Sequence, residues 1–407
     1  MSLSSMVFFN NQAARATRSD AARRQGGDRY RVLIDTPWFF IGYKNTDWNY
    51  LRSLSQLKRF VEIEAVYRFD LRDILLFSLE YILNRLHVRP TRFFDLTRRK
   101  LSRKMLGRLK IDAVLNHSTP PLIEDRCVPM IWQYAILDPD MSESYGFSKS
   151  ALESEAENFA DLVSRADVVQ LSTEAEASRH RQRFPSHSHR FCVASFFLPE
   201  LRAIERADVF AKHGRDEFIE ILFVGREGRR KGLDIVAEAI SMLEPALLPR
   251  IKLTIVAENA SKAQFNTVSC SIFPHLDHAD VLEKMRLAHI YLMPSRFESF
   301  GLVFIEAMAA GCAVIAPNWE VQSEITNYGE AGYTVAPTPD SVRQALSELV
   351  QSRQKRLRMA IQGYDRFGER YAPEKVSRQY LAMVRTAMTL HRRDRQENSH
   401  ATRTNKT

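Results

Sequence analysis

The chain has 407 residues, of which 45% are apolar and 26% charged, and it carries a formal net charge of +9. That balance is ordinary for a folded globular protein and excludes a disordered or fibrous chain; at roughly 150 residues per domain the length suggests two or three domains. No run of about 18 uncharged apolar residues is present, which excludes a membrane-spanning helix of the usual kind. The first residues include Arg15, Arg18, Arg23 and Arg24 but lack the apolar stretch of about 7–15 residues that a signal peptide needs. Cys127, Cys192, Cys270 and Cys312 lie far apart with no C-x-x-C, a pattern of reduced thiols in a cytoplasmic protein.

Residues 1–28 are polar and read as a mobile arm before the first strand. A strand–helix alternation follows, the signature of a doubly wound parallel sheet. Tyr30–Asp35 reads as a buried strand and Asp47–Leu57 as a helix; Ile111–Ser118 and Val128–Tyr134 are further strands. Ala151–Ala166 is an amphipathic helix with Leu152, Ala156, Phe159, Ala160 and Val163 on one stripe. Asp167–Ser172 and His189–Phe197 are strands, and the charged, weakly periodic Leu201–Glu217 contains the linker, placed at 206–217.

The whole net charge is concentrated between Arg85 and Lys110. Ten Lys and Arg residues there face a single acid, Asp95, and the other 381 residues sum to zero. The preceding Leu71–Leu86 is strongly apolar, and Phe93, Phe94, Leu96 and Leu101 interleave with the charges. This is the composition of a segment that lies on anionic lipid headgroups. A solvated face whose arginines cover a helix pair has the same composition. No nucleic-acid motif accompanies the charge, so no nucleic-acid partner is expected.

A second alternating unit starts at Phe218–Gly225 and continues through helix Gly232–Leu243, strand Ile251–Glu258, helix Ala279–Ala288 and strand Ile290–Ser295. Helix Leu302–Ala310, strand Ala313–Pro317 and helices near Ser341–Gln351 and Pro373–Leu390 complete it. Residues 391–407 are polar and read as a disordered tail.

The chemistry is concentrated in Pro294–Pro317. A buried strand ends at Ser295, a tight turn carries Glu298, Ser299, Phe300 and Gly301, and a helix begins. Ligands of open α/β sheets bind at the carboxyl ends of strands, and this turn is at such an end. Gly301 lets a ligand approach the backbone, and the first-turn N–H groups of the helix can receive an anion. Glu306 falls one turn into the helix, within reach of hydroxyls. Two carboxylates beside a helix start suit a ligand with phosphate at its centre and polyols on both sides.

The spacing Glu298-x7-Glu306 in this setting resembles the donor-site motif of the family-4 retaining glycosyltransferases of GT-B fold, also called glycosyltransferase group 1. The resemblance implies that Glu298 meets the transferred sugar, that Glu306 meets the nucleotide ribose, and that the N–H groups of Phe300, Gly301 and Leu302 approach sugar and diphosphate. Phe223–Ile240 follows the same pattern, with Gly225, Arg226 and Lys231 at the family's G-R…K-G; there Arg226 and Lys231 are implied to hold the diphosphate. A departing nucleoside diphosphate accumulates negative charge, which Arg, Lys and helix dipoles can meet without metal. Glu324 in Glu320–Pro337 matches a recurrent Glu and reads as mainly structural, and Arg366–Val384 resembles the closing helices that return to the N-terminal domain.

The fold so implied is α/β: two Rossmann-like αβα domains facing a cleft, an acceptor domain over 29–205 and a nucleotide-sugar domain over 218–372, with a helix over 373–390 returning to the first. The N-terminal half departs from the family pattern. Thr36–Trp48 contains only Gly42 where a glycine-rich loop is usual, and Val128–Asp140 contains no His, leaving Gln133 or Tyr134 in that neighbourhood. His117 is the remaining cleft histidine, read either as a catalytic residue or as a structural one. Asp138-Pro139-Asp140 matches D-x-D by letter, but its proline and position favour a loop. His275, Asp277 and His278 lack a fourth ligand and read as a surface loop, as do His187 and His189, so no metal site and no cofactor are expected.

The expected activity is retaining transfer of a sugar from a nucleotide-diphosphate sugar to a saccharide or lipid-linked saccharide, at the cytoplasmic face of a membrane and without metal. A sugar-nucleotide epimerase of the same fold, or a non-catalytic basic membrane-associated binder, are the rival readings.

Overall fold

The computed structural model describes residues 29–35, 53–67, 100–117, 122–133, 159–214 and 217–404. The arm 1–28, the loop after Asp35, the apolar Leu71–Leu86, the basic residues up to Arg99, Tyr134 and the Asp138–Asp140 pair lie outside the described residues.

In chain order the first unit contains β1 (Tyr30–Asp35), β2 (Ile63–Tyr67), β3 (Lys100–Leu101), β4 (Ala113–His117), β5 (Leu122–Ile123), β6 (Met130–Gln133), β7 (Val168–Leu171) and β8 (Phe191–Val193). Six of these form a parallel sheet in the order β2-β1-β4-β6-β7-β8, and β3 pairs with β5 alone. The second unit contains β9 (Ile219–Val224), β10 (Ile251–Val256), β11 (Ser269–Phe273), β12 (Ile290–Leu292), β13 (Ala313–Pro317) and β14 (Tyr333–Val335), parallel throughout in the order β11-β10-β9-β12-β13-β14. The central strands read as near-continuous apolar runs because helices cover both faces; all of Ala313–Pro317 is buried.

Within the expected linker at 206–217, Arg206–Gly214 is a helix that buries Val209 and His213 against the second unit. The Ile204 N–H donates to the Ala309 carbonyl at 3.0 Å, and Arg206 pairs with Asp365. The expected end of the terminal helix at Leu390, with a disordered tail after it, is corrected: the helix runs from Pro373 to Thr404. Its start buries Val376, Tyr380, Met383 and Ala387 on the first sheet, among Ile34, Leu115, Ile131 and Val168. Beyond Leu390 the anchors are polar, which hides them from hydrophobic periodicity. His391 Nδ1 donates to Asp167 Oδ1 at 3.1 Å, and Arg190 pairs with Asp394 at 3.0 Å.

Candidate active site

The second sheet directs the carboxyl ends of β9 and β12 to one edge, and a turn leaves each. The β9 turn contains Gly225, Arg226, a short helix Gly228–Lys231 and Gly232, which opens helix Leu233–Ser241. The β12 turn runs from Met293 to Gly301 and opens helix Leu302–Ala309. The expected helix start at Gly232 is therefore preceded by an extra helical turn that carries Lys231.

The two turns are laced together. Gly232 has φ +82°, and a Cβ there would lie 2.3 Å from the Pro294 carbonyl oxygen, so only glycine fits both the angle and the approach. The Arg296 N–H donates to the Arg230 carbonyl at 2.9 Å. The Arg296 guanidinium donates to the Arg229 carbonyl at 2.6 Å and grips Asp234 through two bonds of 2.7 Å. That fork holds the Asp234 carboxyl below the usual carboxylate range. Arg230 in turn reaches the Phe297 carbonyl at 3.2 Å.

This lacing brings Lys231 and Glu298, 67 residues apart in sequence, into a direct ion pair. Both are largely buried, with side-chain exposures of 14% and 9%. Gly225 makes room for the Lys231 stem, since a Cβ at Gly225 would sit 2.7 Å from Lys231 Cβ and Cγ. Gly301, at φ +87°, packs against the Phe304 ring and Glu298 Cγ at the helix start. A helix start leaves its first N–H groups without intrahelical acceptors, so one edge combines an ammonium, a carboxylate and an anion-accepting backbone.

Phe300 is buried with its carbonyl accepting from Gln322 Nε2 at 2.7 Å, while Ser299 is exposed and Leu302 half-buried. Glu306 is buried and accepts a 2.8 Å bond from His278 Nε2. Beneath the two glutamates lies Tyr291, whose hydroxyl is pushed well above its ordinary pKa by burial first and then by the charges of Glu298 and Glu306. Arg226 is not drawn into the Lys231–Glu298 pair. It is half-exposed and lies 3.7 Å from Glu258, just past β10. His117 ends β4 of the first sheet, in register with Gln133 of β6.

His278 is the clearest residue that sequence reasoning passed over. It opens helix His278–Leu287, and so is not part of a surface loop; its ring faces Glu306 on the neighbouring helix. Among the described residues no three or more His, Cys, Asp or Glu are grouped to hold a metal ion. The bond to Glu306, above all, raises the His278 pKa from its ordinary 6.5. The pair's contribution to stability is therefore fully present below pH 6.5 and fades as pH climbs through the raised folded-state value. The melting-temperature gap between wild type and His278→Gln should accordingly be widest in acid and close in alkali. A gap independent of pH would show that the contact carries no protonic linkage.

Residues 205–366 match the family model described as "Glycosyl transferases group 1". Among curated relatives, a phosphatidyl-myo-inositol mannosyltransferase of Mycobacterium tuberculosis is 30% identical over 148 residues, 34% of this chain and 38% of that protein. The match thus spans well under half the length of this relative. Among solved structures, a sucrose-phosphate synthase of Thermosynechococcus elongatus superposes with a TM-score of 0.61 at 16% identity, over 89% of this chain and 99% of that one. Anabaena HepE in complex with UDP superposes with a TM-score of 0.58 at 14% identity, over 88% and 100%. Two parallel six-stranded units, a terminal helix that returns to the first, and a matched second unit thus agree: the chain has the GT-B fold, and its residues 205–366 match the model of the group 1 glycosyl transferases.

Proposed function

We propose that this chain transfers a sugar, with retention of configuration, from a nucleotide-diphosphate sugar to a saccharide or lipid-linked saccharide acceptor. The observation that carries the reading is the buried Lys231–Glu298 pair at the start of helix Leu302–Ala309. In this reading the donor diphosphate takes Lys231 from Glu298 and lies over the helix start. Glu298 turns to the sugar hydroxyls, and Glu306 takes the ribose. The acceptor oxygen bonds to the anomeric carbon on the face from which the diphosphate leaves, and a departing phosphate oxygen receives the acceptor proton. The protein then supplies orientation and electrostatic stabilisation of the leaving group. Arg226 swings in from Glu258 as the second cation, and His117, at the end of β4, is the candidate residue on the acceptor side. Two similarities support the substrates: HepE was captured with UDP, and the mycobacterial relative is named for a lipid acceptor.

The deciding experiment is a thermal-shift panel of UDP-, GDP- and ADP-sugars, with and without excess EDTA. A true donor at 100 times its Kd adds about 2.7 kcal/mol. One nucleotide series should stabilise the protein strongly, and equally with EDTA present, because the neutralising charge comes from side chains. Stabilisation by none would sink the donor reading. Stabilisation abolished by EDTA and restored by Mn²⁺ would bring Asp138 and Asp140 back as ligands.

The same reading places the protein at the cytoplasmic face of an anionic membrane, through 85–110. Within the described part of that segment, helix Arg103–Leu109 buries Leu106 and exposes Arg103, Lys104 and Arg108. Each basic residue near an anionic surface is worth about 1 kcal/mol, so even half of the ten would hold the protein reversibly. Wild type should co-sediment with anionic but not neutral vesicles, less so at high salt, and neutralising Arg98, Arg99, Lys100, Arg103 and Lys104 should release it. Equal binding to both lipids would reduce the segment to a solvated face. No helix among the described residues is long and apolar enough to cross a membrane.

A further inference from the structure

Helix Glu174–Arg183 follows β7 and belongs to the first unit, yet its start is completed by a residue of the second. Thr173 accepts from the Glu176 N–H at 3.3 Å, and the Thr173 N–H donates to the Glu176 carboxylate at 3.2 Å. The remaining early donors, the N–H groups of Glu174 and Ala175, reach across to the Glu324 carboxylate at 3.0 and 2.6 Å. Glu324 is 4% exposed. A carboxylate this deeply buried requires compensation. It finds it in a helix start, where the backbone partial charge is positive, and in Arg370, 3.3 Å from Oε1. Arg366 fixes the same residue from its backbone side, donating to the Glu324 carbonyl at 2.8 Å.

The short helix that carries Glu324 also touches the donor turn. Helix Glu320–Ile325 holds Gln322, which donates to the Phe300 carbonyl at 2.7 Å. The Phe300 ring lies 4.8 Å from that of Phe196, which follows β8 in the first unit. Arg179, on the capped helix, adds a 3.3 Å ion pair to Glu320. One six-residue helix thus contacts the turn that carries Glu298 and, through a buried carboxylate, fixes the other unit.

We propose that Glu324 is a positioning residue. It docks the first unit onto the second through the start of helix Glu174–Arg183 and so registers the acceptor half of the cleft over the Phe300 turn. The docking stands on the contacts alone; its effect on turnover rests on the glycosyltransferase reading above. Glu324 acts without touching substrate, and an isolated structural role would leave the orientation of the units unchanged.

Two variants test it from opposite sides. Glu324→Gln leaves one acceptor oxygen where two N–H groups converge and removes the charge. Glu174→Pro deletes one of the donors at the first helical position, where proline is well tolerated. Thr173 before it is already extended, at φ −136° and ψ 159°, as a residue preceding proline requires. Small-angle scattering of the full chain should show a larger radius of gyration in both variants. Turnover of the nucleotide-sugar identified by the panel should fall about tenfold in kcat, with donor KM within about twofold, because misorientation affects the reacting geometry more than donor binding. The double variant should be no worse than the more impaired single one, as for two halves of one contact.

Unchanged scattering and unchanged kcat in both variants would overturn the proposal. So would a rise in donor KM with kcat intact, since that places Glu324's influence in the donor turn alone. If no nucleotide-sugar binds wild type, the glycosyltransferase reading fails, and the scattering comparison still decides the docking.

Discussion

Lys231→Ala should lower kcat/KM for the nucleotide-sugar by about 10²-fold or more, roughly 3 kcal/mol of transition-state stabilisation. The residue is placed for that task. Its stem fills the space left by Gly225, its ammonium is largely withdrawn from water, and in the free protein that ammonium is held by Glu298. In a site of low effective dielectric, a cation delivered to a leaving diphosphate is worth far more than the same cation on the surface. Arg226→Ala should cost less, because Arg226 is half-exposed and lies 3.7 Å from Glu258 in the free protein. The removal of Lys231 also leaves Glu298 buried without its cation, so the free variant should melt below wild type. Replacing Glu298 as well, in Lys231→Met/Glu298→Gln, should recover part of the melting temperature and none of the activity. Steady-state kinetics and thermal melts of the three variants decide the matter. Near-normal activity in both Lys231→Ala and Arg226→Ala would end the assignment of the diphosphate to this turn.

The sequence disclosed the parts of this site that are local and concealed those that are not. Glu298, Gly301 and Glu306 form a single strand–turn–helix passage, and Gly225 to Lys231 form another; each has a spacing that can be read without a structure. Long-range polar pairing leaves no periodic trace. Lys231 with Glu298, Arg296 with Asp234, His278 with Glu306 and the Glu324 cap join residues from 28 to 150 positions apart. The same physics explains the strands that were overlooked. β2, β3, β5, β11 and β14 lie outside the expected strands; β2, β11 and β14 are edges of the six-stranded sheets, and β3 and β5 pair only with each other. An edge strand is solvated along one side and lacks the unbroken apolar run that marks β9 or β13; β11, with the sequence SCSIF, has no fully buried residue. The terminal helix outruns its apolar stripe for a related reason, since beyond Leu390 it is anchored by His391 and Asp394.

Gly232→Ala should be the most damaging single-methyl change in the second unit, costing about 3 kcal/mol or more in a urea titration. Two penalties add. The left-handed φ of +82° costs an L-residue roughly 1–2 kcal/mol. The new Cβ would also sit 2.3 Å from the Pro294 carbonyl oxygen, a backbone atom that no side-chain rotation can move aside. Relief requires the β9 and β12 turns to separate, and those turns present Lys231 and Glu298 to each other. Activity should therefore fall even at urea concentrations and temperatures where the variant is fully folded, and donor-induced stabilisation should shrink with it. Gly329→Ala is the matched control. Gly329 has a similar φ of +98°, but a Cβ there meets nothing within 4 Å. It should lose only the conformational part, about 1–2 kcal/mol, and keep full activity. If Gly232→Ala proves no costlier than Gly329→Ala, then the close approach of Gly232 to Pro294 does not hold the two turns together. The Lys231–Glu298 pair would then owe its geometry to the hydrogen bonds of Arg296 and Arg230 that lace the two turns.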